Sequence, residues 1–238
     1  MKKTNVCVMV IVAIGMIVTS CGKGVSTNVS LKSDVDSAFY AVGVSWGTGM
    51  REQLKSLPGT DGKINDDAFL AGLAAAFRDE ATIKITYDNA QIFLQTYVEE
   101  TSMREAETTR AEGEAFLASN KTKEGVITTQ SGLQYKVLTE GSGRKPTTED
   151  RVIVHYTGKI LDGSVFDSTM ERGEPVIFPV TGVIPGWIEG LQIMPVGSKY
   201  MFWIPSDLAY GPQQVSELIK ANSMLEFEVE LLGIEGEE

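Results

Sequence analysis

The sequence predicts an α+β chain in two parts: a helical N-terminal part closed by one long connecting helix, then a domain of antiparallel strands with a single short helix. Three observations carry this expectation. From Ser33 to about Asn120, apolar residues return at three- and four-residue spacing. Beyond Thr129 they alternate with polar neighbours at period two. Turns rich in glycine and proline separate the alternating runs, and only one gap between them reads as helix.

The first residues read as a targeting segment. Lys2 and Lys3 precede an apolar run from Val6 to Val18, too short to span a bilayer and right for a signal-peptide core. Val18-Thr19-Ser20-Cys21-Gly22 then resembles a bacterial lipobox, with small residues before a cysteine that carries lipid. The expected division is a lipoprotein signal peptide over 1–20 and a polar tether over 21–30. The alternative is a plain secretory signal that leaves Cys21 a free thiol. With Cys7 removed and Cys21 lipidated, no thiol remains for a disulfide.

The helical domain and connector are expected over 31–120. Ser33, with Asp36 three residues on, is an N-terminal capping signal. Val35, Phe39, Val42 and Trp46 then mark one apolar face, and Leu57-Pro58-Gly59 ends the helix. Asn65 or Asp66 caps a second helix, with Phe69, Leu70, Leu73, Ala76 and Phe77 expected to be buried. A third helix runs from about Asp88 to Asn120, apolar on one side at first through Ile92, Phe93, Tyr97 and Val98, then rich in Glu, Thr and Arg. Unbroken, it would reach about 50 Å, which suits a solvated spacer; a break near Gly113 is the alternative. So small a helical unit, studded with glycine, cannot bury all its aromatics alone, which predicts a homodimer.

Lys121 to Thr129 is polar and marks the boundary of a second domain over 121–238. Strands are expected through Leu133-Tyr135-Val137, through Val152-Val154-Tyr156, through Tyr200-Phe202-Ile204, and from Leu225 to Leu232, where Glu226, Glu228 and Glu230 face away from the core. The short helix falls near Gly186–Gln192. Net charge is −11, and both parts are acidic, with 10 basic and 15 acidic residues in 22–121 and 9 and 17 in 122–238. A nucleic-acid surface is excluded on that balance, and neither part is an electrostatic foil for the other. His155 is the single histidine, and strand parity turns it away from Tyr156. No cysteine or histidine set suits a metal and no phosphate loop appears, so no cofactor is expected.

Five motifs resemble those of the FKBP-type peptidyl-prolyl isomerases, and they fall in the family's order. They are Ser131-Gly132-Leu133-Gln134-Tyr135, Val154-His155-Tyr156-Thr157-Gly158, Phe166-Asp167-Ser168, Ile184-Pro185-Gly186-Trp187 and Ala209-Tyr210-Gly211. This resemblance covers about Gly125 to Gly233; the helical part is similar, more loosely, to the dimerisation domain of the two-domain bacterial group that includes macrophage infectivity potentiator. It implies a curved antiparallel half-barrel of five or six strands wrapped on a short helix. It also implies a pocket floored by Trp187, with walls from Tyr156, Phe166, Val183, Ile184 and Phe227. Asp167 and Tyr210 would stand at the rim and act with Trp187 on the substrate, and Ile219 would contact it from a loop. Val176 would also contact the substrate, at a position where the family commonly has an aromatic, and the 213–222 loop lacks the usual glycines and prolines. The implied partners are proline-containing unfolded chains, a second copy of this chain, and a membrane reached through lipid on Cys21. The implied place is the bacterial envelope, at the outer membrane and facing the periplasm. The alternative function is a catalytically weak, client-holding FKBP fold.

Overall fold

The computed structural model describes residues 29–236 except Asp79. The expected signal peptide, Cys21 and most of the tether lie outside them. Contacts group the chain into two units, residues 1–48 with 65–86, and residues 49–64 with 87–238. By contact, then, the long helix goes with the strands, whereas the sequence assigned it to the helical part. No helix of the described residues is long and apolar enough to cross a membrane.

The first unit takes in most of helix α1 (Asp34–Lys55) and all of α2 (Asp66–Arg78). Ser33 caps α1, its Oγ accepting from Asp36 N at 3.1 Å. Asn65 caps α2, its Oδ1 accepting from Ala68 N at 3.0 Å; each bond satisfies an N–H that the helix itself cannot. Neither helix buries a single residue. Phe69 is half-buried, but Leu70, Leu73, Ala76 and Phe77 are exposed, against expectation. Periodicity reported an apolar face correctly and said nothing of what covers it.

The second unit begins with the end of α1 and the turn after it. Tyr97 donates its hydroxyl to Pro58 O at 3.0 Å, and Gly59 N donates to Glu105 Oε1 at 2.7 Å. Both partners lie on α3 (Tyr87–Asn120), which is continuous through Gly113.

Strands β1 (Val126–Thr128), β2 (Gln134–Thr139), β3 (Arg151–Lys159), β4 (Val165–Ser168), β5 (Val176–Pro179), β6 (Lys199–Ile204) and β7 (Leu225–Ile234) build one antiparallel sheet. Its order is β1-β2-β6-β7-β3-β4, with β5 also paired to β3. Seven strands replace the five or six expected, because β1, β4 and β5 are too short to show a period. A one-turn helix, α4 (Thr169–Arg172), was also missed; the expected short helix is α5 (Pro185–Ile193).

Alternation holds where it was read. Val152, Val154 and Tyr156 of β3 are buried, as are Leu225, Phe227, Val229 and Leu231 of β7. They meet in register, Tyr156 opposite Val229 and Gly158 opposite Phe227. The core lies between this face and α5, where Trp187 and Leu191 point inward. The helix approaches the sheet closely. A Cβ on Gly186 would stand 2.5 Å from Ile204 Cγ2, and one on Gly190 would stand 2.8 Å from Phe202 Cε1. Only glycine permits that distance. The other face of β2 meets the end of α3, where Asn120 Nδ2 donates to Gln134 Oε1 at 3.0 Å and Gln134 Nε2 donates to Leu117 O at 2.9 Å.

Candidate active site

Between the sheet and α5 opens a cavity of about 360 Å³. Trp187 forms its base. Pro185 is at the first position of α5, where its missing N–H costs nothing and its fixed φ suits a helix start. Two residues on, the indole is delivered into the core, 5 % exposed. Three rings meet it nearly at right angles: Tyr156 at 5.1 Å and 87°, Phe227 at 5.2 Å and 84°, Phe178 at 6.0 Å and 88°. Phe166 stands edge-on to Phe227 at 5.5 Å. Edge-to-face rings hold one another by quadrupole attraction as well as by burial, so the indole face is held rigid. Its Nε1 is buried with no partner among the described residues.

Polar groups are few and sit at the mouth. The Tyr156 hydroxyl donates to Asp167 Oδ2, and Arg172 Nη1 on α4 pairs with Asp167 Oδ1. Burial pushes the Asp167 carboxyl up, but the bonds from Tyr156 and Arg172 outweigh it, and the group is held below the usual carboxylate range. Burial, and then the bond to Asp167, push the Tyr156 phenol up. Near neutral pH the mouth therefore holds a fixed carboxylate, a neutral phenol and a guanidinium. Ile184, extended at φ −61° and ψ 152°, precedes α5, and its N–H donates to nothing among the described residues. Tyr210, 38 % exposed, follows the Ser206–Leu208 turn.

The cavity brings together Tyr156, Phe166, Asp167, Val183, Ile184, Trp187, Tyr210 and Phe227, all expected from sequence. Two expected residues do not line it. Val176 packs on the core from β5, opposite Val154, and Ile219 is buried within the core cluster at 6 % exposure. Phe178 and Gly182 line the cavity and were not expected. Phe178 shares a face with Val176 on β5, a strand of four residues that leaves no readable period in the sequence. Arg172 was missed too; it reaches Asp167 only because α4 turns the chain back. His155 is turned away, its Nδ1 against Thr169 Oγ1 at 3.0 Å.

A family model described as FKBP-type peptidyl-prolyl cis-trans isomerase matches residues 142–232, and one for the domain amino-terminal to it matches residues 35–137. An FKBP-type peptidyl-prolyl cis-trans isomerase, FkpA, of Aeromonas hydrophila is 44% identical over 211 residues, covering 86% of this chain and 78% of that protein. The outer membrane protein MIP of Legionella longbeachae is 39% identical over 211 residues, covering 86% and 88%. The crystal structure of FkpA from Escherichia coli superposes with a TM-score of 0.68 at 34% identity, covering 86% of this chain and 98% of that one. The aromatic cup, and likeness running through both halves, lead to one assignment: the chain belongs to the FKBP-type peptidyl-prolyl cis-trans isomerases.

Proposed function

We propose that the cup turns X–Pro bonds by taking the proline ring onto the Trp187 indole and the amide away from water. Rotation about a peptide bond costs about 18–20 kcal/mol because the planar form is resonance-stabilised. Water favours that charge-separated planar form over the twisted one, so an apolar site lowers the difference. Contacts help only as far as they fit the twisted amide better than the planar one. Ile184 N–H and the Tyr210 hydroxyl hold substrate carbonyls at the mouth, while Asp167, fixed by Tyr156 and Arg172, shapes the wall and faces the turning carbonyl. The observation that carries this reading is the Trp187 indole boxed by three perpendicular rings. The test is a proline-limited refolding assay with the soluble form from Gly22 onward. Wild type accelerates refolding, and Asp167→Ala or Tyr210→Phe slows it without unfolding the domain. A wild-type protein that leaves the rate unchanged removes the mechanism.

The same reading extends to the whole chain. Residues 1–20 direct export, Cys21 carries lipid on a tether to about Ser30, and the protein works in the envelope at the outer membrane, facing the periplasm. Residues 31–120 make a homodimer and 121–238 the isomerase domain, so that two cups held apart raise each other's effective concentration on one client. Support comes from exposed Phe39, Trp46 and Phe77 on α1 and α2. Those side chains also favour a second reading, in which the helical unit holds unfolded clients and turnover matters little. Suppression of client aggregation by variants dead in the isomerase assay would support that reading over the first.

A further inference from the structure

Tyr210 stands on a loop that α3 grips from outside. Arg110 Nη2 lies 3.3 Å from Asp207 Oδ1 and 3.3 Å from Asn222 Oδ1. Asn222 answers with its own amide, Nδ2 donating to Ala106 O at 3.1 Å. Its backbone N–H donates to Gly211 O at 2.8 Å, beside Tyr210, and Gly211 N donates to Ser206 O at 2.9 Å. Asn222 sits at φ 62°, a left-handed conformation that asparagine and glycine tolerate and most residues do not. Two residues on, Met224 closes against α3 where a Cβ on Gly113 would stand 3.1 Å from Met224 Cγ. The Tyr210 hydroxyl has no hydrogen bond to the described residues, so its place is inherited from this backbone.

We propose that Arg110 and Asn222 are positioning residues for Tyr210, which makes α3 a working part of the isomerase site. The proposal rests on the role given to Tyr210 above. The exposed Arg110–Asp207 ion pair contributes little alone; the shared half-buried Asn222 carries the grip. A hydroxyl displaced by a fraction of its bond length loses its effect on the turning amide while the apolar cup still binds proline.

The experiment is a double-mutant cycle in the full chain, read as kcat/KM on a short X–Pro peptide, with thermal melts alongside. Tyr210→Phe, Arg110→Ala and Asn222→Gly are made singly and paired. Glycine at 222 keeps the left-handed backbone and removes only the side chain. Each brace variant is expected to lower kcat/KM by roughly three- to ten-fold, through kcat rather than KM, and to cause no further loss in the Tyr210→Phe background. Arg110→Lys should restore part of the loss. Losses that multiply in the double variants would overturn the brace, as would brace variants at wild-type rate beside an impaired Tyr210→Phe. Wild-type activity in Tyr210→Phe would remove the tyrosine's role, and the brace with it. If Arg110→Ala melts early, Asn222→Gly decides.

Discussion

The strand domain and the α1–α2 unit use the same kinds of side chain and come to opposite ends. Phe202, Phe227, Trp187 and Leu231 are 5 % exposed or less, while Phe39, Trp46 and Phe77 are 76, 62 and 78 % exposed. A curved sheet can close its apolar face on a helix from its own chain, as β3, β6 and β7 do on α5. Two short helices have one stripe each, and those stripes remain in solvent. Apolar periodicity is thus a statement of what must be covered, and only the strand domain supplies its own cover.

Substitution can break or sharpen that contrast. The largest effect belongs to the core. Trp187→Ala should lower unfolding stability by about 3–5 kcal/mol, against less than about 0.5 kcal/mol for Phe77→Ala in a monomer, both read by urea denaturation. Next is Phe39→Asp with Trp46→Asp, which should turn a sedimenting dimer into a monomer at micromolar concentration while peptide isomerisation changes less than about two-fold. A monomeric wild type would remove the proposed covering of α1 and α2 by a second copy. Asp167→Ala should then lower kcat/KM by roughly ten-fold with the fold retained, as near-ultraviolet circular dichroism would show. The smallest effect is the pH response. The folded-state pKa of Asp167 is lowered, so its contribution to stability is complete above the unfolded value of about 4 and is lost as pH falls through the folded one. Below about pH 4 the wild type should lose stability faster than Asp167→Asn. Isomerase rates should stay flat from about pH 5 to 8, because the Asp167 carboxyl is held low and the Tyr156 phenol high.

How much of this was legible in the residues depends on how each signal arises. Strands β3 and β7 alternate because one face is core and the other is not, and Tyr156 and Phe227 were readable from that alone. The Ser33 cap was equally readable, being a local bond between residues three apart. Eight of the ten lining residues followed from motif resemblance. Arg172 and Phe178 escaped because their place depends on a one-turn helix and a four-residue strand, elements too short to leave a period. Val176 and Ile219 were expected to touch the substrate and pack on the core instead, Val176 from β5 opposite Val154 and Ile219 within the buried cluster. The exposure of α1 and α2 was unreadable for another reason: nothing in a single chain says which of its apolar stripes will find cover within it.

The place of β7 sets an order of events. It is the last strand in sequence yet lies between β6 and β3 in the middle of the sheet, and it brings Phe227 to the cup. A ribosome or export channel releasing the N-terminus first would therefore deliver α3, the first six strands and most of the site before anything could work. The helper that hastens slow turns in other chains thus lacks one side of its own cup until its closing segment threads home, and a fragment cut short of Leu225 would leave β1, β2 and β6 unjoined to β3, β4 and β5.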